Sequence, residues 1–260
     1  MKHWIPLVIL TIAGASLIAC GSEPLVAHPR IFEEAPWTGA ERLHYNLLQR
    51  ENLEGRCILE TEPEISPGIT EFRRLCRDAG EGRYQDNGSA LVDSVTLQPL
   101  SSLRVVLDLE EGDARHFATT YVPEKRKVLF HSKQFEDSAG EPTDSLEAER
   151  ALPEPTDKTP APAWYDDEEL LWLLRGIPLQ EGFQGSFTNV NASTGRVFGA
   201  EVAVEGPEKV TVAAGTFQVW KVRIETSTVT QLIWVDQEAP HRVVKARIER
   251  LTYELAIVEK

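Results

Sequence analysis

From Glu41 onward the chain keeps a short rhythm of apolar and polar positions. "RLHYNLLQ", "CILET", "FRRLCR", "LVDSVTL", "LRVVLDLE", "HFATTYV" and "KVLFHS" follow one another, punctuated by Gly, Pro, Asn-Gly and Glu-Gly-Asp. Short alternating segments with turn signals at this spacing predict an antiparallel sheet that curls or closes. The last third repeats the pattern in "GSFTNVN", "RVFGAEVAVEG", "EKVTVAAG", "FQVWKVRIET", "VTQLIWVD", "HRVVKARIER" and "LTYELAIV". In "WKVRIE", Trp220, Val222 and Ile224 share one face while Lys221, Arg223 and Glu225 take the other. Val244, Ala246 and Ile248 alternate in the same way with Lys245, Arg247 and Glu249. One dry and one wet face is the antiparallel signature. The expected fold is all-β, a curved antiparallel sheet or (half-)barrel, in a single domain over residues 39–258.

Two stretches break the rhythm. Residues 136–163 are acidic, rich in proline and nearly free of aromatics, so they bury too little apolar area to offset their ordering entropy. They read as a disordered acidic loop, a linker first and a functional lid as the alternative, in which "DSLEAERAL" can form a transient helical turn or two. "WYDDEELLWLLRGIP" is the one helix expected, over 166–175. Asp166 or Asp167 caps it, Asp167, Glu168 and Glu169 suit the positive end of its dipole, and Gly176 and Pro178 stop it. Leucines and Trp172 make it apolar almost all round, so it should plug or lean on the sheet. The acidic run is explained as a helix start, and no metal site is expected.

The three cysteines divide into one plus two. Cys57 and Cys76 stand in "EGRCILET" and "TEFRRLCRD", with Ser66-Pro67-Gly68 as turn chemistry between them. A hairpin folded about Ser66 and Pro67 sets them directly opposite, at about 4.5–5.5 Å between Cβ atoms, within range of a disulfide. Two free buried thiols or a metal pair are the alternatives, but no local histidine supports a metal.

Cys20 belongs to a different object. Trp4 to Ala19 is apolar but short of the roughly 20 residues that a membrane span needs, and Pro6, Gly14 and small residues near its end suit a cleaved segment. Leu17-Ile18-Ala19-Cys20 resembles the bacterial lipobox, in which the cysteine thiol receives a diacylglycerol and becomes the first mature residue. Residues 1–19 are accordingly read as a lipoprotein signal peptide, Cys20 as the lipidation site and 20–38 as a tether. A plain signal peptide or an anchor helix is the alternative.

Composition narrows the partners. The formal net charge is −14, and −15 once Lys2 leaves with the signal. An acidic body repels phosphate backbones and anionic lipid headgroups, so no nucleic acid is expected, and attachment to the membrane should come from the lipid rather than from a basic patch. The protein is expected on the extracytoplasmic face of the cell envelope, lipid-anchored.

"EKVTVAAGTFQVWKVRIE" and "LIWVDQEAPHRVVKARIE" resemble a family of exported bacterial proteins, domain of unknown function 3108. Val212, Ala214, Gly215, Thr216, Phe217, Lys221, Val222, Trp234 and Asp236 fit its turn, its Lys-Val strand and its tryptophan strand. Ala213 stands where the family usually has proline. "DSVTLQPL" and "ELLWLLRGIPLQEG" match earlier landmarks, so the resemblance spans roughly 40–258. It implies a curved, barrel-like antiparallel structure in the cell envelope, and it carries no functional residues with it.

No catalytic signature is present. "GxSxG" is missing, and His28, His44, His116, His131 and His241 lack metal-ligand spacing. Asp236 and His241 flank a loop in which they could meet. The protein is therefore expected not to be an enzyme and to need no cofactor. A non-catalytic module binding an apolar or envelope-derived ligand comes first, with Trp172, Phe187, Trp220 and Trp234 as the expected cavity lining. A scaffold that meets an envelope protein comes second, and a hydrolase last.

Overall fold

The computed structural model describes residues 25, 27–80, 82–160, 162–227 and 229–259. Cys20, the expected signal peptide and the first part of the expected tether lie outside them. Fifteen strands form one sheet. In chain order they are β1 (Glu41–Gln49), β2 (Asn52–Ser66), β3 (Ile69–Asp78), β4 (Tyr84–Asp93), β5 (Pro99–Asp108), β6 (Asp113–Val122), β7 (Lys127–Phe135) and β8 (Asp144–Ala151). Then come β9 (Trp164–Asp166), β10 (Gln184–Asn191), β11 (Arg196–Val212), β12 (Gly215–Glu225), β13 (Thr230–Asp236), β14 (Val243–Ile248) and β15 (Leu251–Val258). The strand order runs β8-β7-β6-β5-β4-β3-β2-β1-β15-β14-β13-β12-β11-β10-β9. Every neighbouring pair is antiparallel except β9–β10. The ends do not hydrogen-bond to each other, so the sheet is curled but not closed.

The curl is closed by side chains instead. On β6 and β7, Tyr121, Val128 and Phe130 face inward and pack with Trp164 of β9 and Val190 of β10. The main core gathers Phe72, Tyr165, Trp172, Leu173, Phe187, Val222, Ile233 and Leu255 inside the curve. The helix lies there too, though shorter than its sequence suggests. A 3-10 turn at Asp167–Glu169 leads into α1 (Leu170–Leu173), four buried apolar residues. Being apolar all round, α1 is surrounded by core rather than laid along a surface. Asp166 caps the turn as expected, in a reciprocal capping box with Glu169.

The cysteine hairpin turns one residue later than expected, at Pro67-Gly68, with Ser66 opposite Ile69 and Gly68 at φ +77°. An irregularity between Glu62 and Ser66 absorbs the offset, so Cys57 still faces Cys76 and the two form a disulfide. Gly215 closes the β11–β12 hairpin at φ +141°, a conformation that favours glycine.

Two segments differ from their sequence reading. Asp144–Ala151, expected within a disordered loop, pairs along β7 as an exposed edge strand. Its backbone finds partners even though its side chains bury almost nothing, which the burial argument cannot foresee. The tether also ends early. Ile31, Phe32 and Trp37 are buried, and Glu33 N–H donates to the Gly176 carbonyl at 2.9 Å. This segment closes the end of the sheet where β1 starts.

Candidate ligand-binding cleft

The site begins with the acidic run. Asp166, fully buried at the end of β9, accepts at Oδ2 from Ser102 Oγ (2.8 Å), Thr119 Oγ1 (3.0 Å) and Tyr121 Oη (2.7 Å). Its Oδ1 takes the Glu168 N–H at 3.1 Å, and its own N–H donates to Glu169 Oε1 at 2.8 Å. Burial, and then the Asp166 charge, push the Tyr121 hydroxyl well above its usual pKa, so it remains a donor. Four donors on one carboxylate pin the turn against the inner wall of β5 and β6.

That anchoring aims Glu168 at β3, β4 and β5. Arg74 Nη2 donates to Glu168 Oε2 at 3.0 Å, and Arg104 Nε lies 3.9 Å from Oε1. Arg104 also grips Asp86 with two bonds, 2.9 Å to Oδ1 and 2.7 Å to Oδ2, while Arg74 reaches Oδ1 at 3.3 Å. The carboxylate of Glu168 needs glycine beneath it: a Cβ on Gly88 would fall 1.9 Å from Oε2. Burial pulls the Arg74 pKa down, but Glu168, then Tyr253 and Asp86, outweigh it and hold the guanidinium well above its ordinary value. For Asp86, burial acts upward, yet the Arg104 hydrogen bond and the charges of both arginines bring its carboxyl below the usual range. The network grows wetter outward, from 4% exposure at the Glu168 side chain to 28% at Arg104.

These residues form one wall of a cleft of about 530 Å³. It opens where β1 ends, between the β14–β15 and β10–β11 turns, and so at the opposite end of the sheet from the buried N-terminal segment. Asn191, Ser193, Thr194 and Gln49 bring amides and hydroxyls to it, and Trp172 and Tyr253 bring aromatic surface. Gln231 Oε1, also in the lining, is buried without a partner among the described residues. Asp167 accepts from Asn191 Nδ2 at 2.6 Å and from Ala192 N–H at 3.1 Å. Burial, then the charges of Asp166 and Glu168, push its carboxyl well above the usual range.

Of the four aromatics expected to line a cavity, Trp172 borders this cleft, stacked on Phe72 at 4.8 Å and bonded through Nε1 to Thr61 Oγ1 at 2.9 Å. Phe187 is fully buried core, edge-on to Tyr165. Pairing of Trp220 with Val235 and of Lys221 with Trp234 sends Trp220 and Trp234 to opposite faces of the sheet. Trp234 instead donates Nε1 to Glu208 at 2.7 Å, with Lys245 over its ring. The four do not share one cavity, because strand alternation separates residues that a count of aromatics lumps together. Asp236 and His241 do come close, but the ring Nδ1 donates to the backbone carbonyl of Asp236 rather than to its carboxylate.

The sequence reading missed Arg74, Asp86, Gly88, Arg104 and Glu168. A signal was available in the strand period. Phe72, Arg74 and Cys76 alternate onto one face, as do Ser102, Arg104 and Val106, which puts two arginines on the dry side.

Fold and site together define a class: an open, curled all-β shell with a short internal plug and a polar cleft at one end. The chain belongs to the family described as "Protein of unknown function (DUF3108)", which matches residues 82–252. That match takes in Asp86, Gly88, Arg104 and the acidic run. No curated protein matches this chain. Among solved structures it is similar to a beta-barrel-like protein of domain of unknown function DUF1849 from Brucella abortus, at 14% identity and a TM-score of 0.49, covering 85% of this chain and 97% of that one. It is also similar to a protein from Bacteroides fragilis described as exported, with a YmcC-like fold, at 11% identity, a TM-score of 0.28 and coverage of 90% and 100%. A third, from Parabacteroides distasonis and described as a lipoprotein, has 9% identity, a TM-score of 0.27 and coverage of 88% and 99%.

Proposed function

We propose that this protein is a lipid-anchored, extracytoplasmic module of the cell envelope that binds a polar, hydroxyl-rich envelope component in the cleft, without chemistry. The observation that carries the reading is the cleft itself. Its walls offer paired charges, amides and hydroxyls beside Trp172 and Tyr253, the mixture that suits a polyhydroxylated ligand. An apolar ligand fits poorly here. The disulfide Cys57–Cys76 supports an oxidising compartment, and Leu17-Ile18-Ala19-Cys20 supports lipidation. Non-catalytic binding is favoured because Arg74, Arg104, Asp86 and Glu168 engage one another rather than standing free.

The test is mass spectrometry of small molecules co-purified from native membranes with the wild-type chain and with Glu168→Gln. A polar species present in stoichiometric amount with the wild type and depleted with Glu168→Gln is the expected result. Repeated recovery of nothing would favour the scaffold reading, for which the exposed edge of β8 is the supporting observation.

A further inference from the structure

The outer face of the sheet holds a second feature, on strands β1 to β4 and β15. Arg56 and Arg77 stand directly opposite each other on β2 and β3. Both are exposed, and neither has an ion-pair partner among the described residues. Like charges directly opposite in an antiparallel pair are destabilising, and in a chain of net charge −14 there is no shortage of carboxylates to neutralise them. The adjacent row on the same face runs Asn87, Leu75, Ile58, His44 and Ile257, three of the five aliphatic, with His44 paired to Glu259. Ile58 faces Leu75 across the same strand pair, and Ile257 lies beyond His44 on β15. Ile257 is 57% exposed and Leu75 37%. Together these side chains border a groove of about 550 Å³ on the outer face, on the other side of the sheet from the cleft. An uncompensated pair of arginines beside exposed aliphatic side chains is the complement of an amphiphile with an anionic head. We propose that this face docks on the membrane surface, with the phosphate of an anionic phospholipid between Arg56 and Arg77 and acyl-chain carbons against Leu75 and Ile257.

The proposal is independent of the cleft ligand, and its test is also independent of Cys20. The chain from residue 21 is held by an N-terminal hexahistidine tag on vesicles containing a nickel-chelating lipid, which keeps even a weak contact populated through its effective concentration. An environment-sensitive fluorophore is attached at Ile257→Cys, with Leu146→Cys on β8 as the control position. In phosphatidylglycerol vesicles the label at 257 should shift to the blue and the label at 146 should not, while in phosphatidylcholine neither should. Arg56→Gln with Arg77→Gln should remove most of the shift, because the docking equilibrium constant falls about thirtyfold, with an unchanged melting temperature showing that the fold survives. Equal emission in the two lipids, or a shift that survives the double substitution, overturns the proposal. So does a shift of the same size given by a soluble polyglutamate peptide without vesicles, which would point to an acidic protein instead.

Discussion

Two arginines, one buried and one nearly so, sit at opposite ends of the sheet and behave differently. At the closed end, Arg175 follows α1 and its side chain is 2% exposed. It donates to Glu41 Oε2 at 2.6 Å and to the carbonyls of Pro240 and His241 at 3.0 and 3.1 Å, and it lies 5.2 Å from the centre of the Trp37 ring. Burial outweighs Glu41 there, so its pKa is lowered. At the open end, Arg74 is raised, because Glu168, Tyr253 and Asp86 together outweigh burial. The first arginine is a lock: its partners come from β1, the loop before β14 and the N-terminal segment, and they hold one another. The second belongs to a charged wall beside empty volume. Burial alone does not tell a structural ion pair from a binding wall; the space next to it does.

Truncation should separate the two most strongly. Arg175→Ala leaves Glu41 with Arg242 as its one ion-pair partner among the described residues, the Arg242 Nε standing 3.5 Å away, and removes the cation over Trp37. Breaking a buried pair by deleting one partner costs about 3–5 kcal/mol. Arg74→Ala should cost less, since Glu168 keeps Arg104 nearby and water can enter from the cleft. Urea denaturation of both variants measures the gap. If Arg74→Ala proved the more damaging, the open end would be the structural lock and the comparison would reverse.

A gentler probe is a single methyl group. Gly88→Ala places Cβ within the space of the Glu168 carboxylate, and overpacking of this kind costs about 1–3 kcal/mol. Gly39→Ala, near the closed end, meets nothing within 4 Å and should leave stability unchanged. The cleft variant should also release whatever the wild type co-purifies. Thermal melts together with the same mass spectrometry would show this. Retention of ligand in Gly88→Ala would remove Glu168 from the binding wall.

The sheet was legible because its signal is local. Trp220, Val222 and Ile224 alternate with charges, and that period alone specifies a half-buried strand. The Cys57–Cys76 register was legible for the same reason, a turn and a count. The cleft was not, because Glu168 meets Arg74 across 94 residues and Asp166 meets Ser102 across 64. Helix capping gave the acidic run a sufficient explanation, and the capping box is indeed there, but one role concealed the other. The β8 strand was missed on different grounds. Its composition speaks for disorder, and it is held by backbone pairing to β7 with surface pairs Lys127–Glu149 and His131–Glu147 beside it, a strand partnership that composition does not encode.

The smallest expected effect is a contrast in pH dependence within the cleft itself. Asp86 has its pKa lowered in the fold, against an unfolded value near 3.9. Its contribution to stability is therefore fully present above that value and is lost as pH falls through the lower, folded one. Asp167 has its pKa raised. Its contribution runs the other way: it is present below about 3.9 and declines as pH rises from there toward the folded value. Asp86→Asn should thus be most damaging near neutrality, with its deficit shrinking on acidification. Asp167→Asn should compare best with the wild type near neutrality and lose that advantage below about pH 4. The two differences should change with pH in opposite directions, read from urea midpoints between about pH 2.5 and pH 8. Parallel curves for the two variants would mean that the carboxylates share one environment, and that the graded charge wall, dry at Glu168 and wet at Arg104, does not distinguish its members.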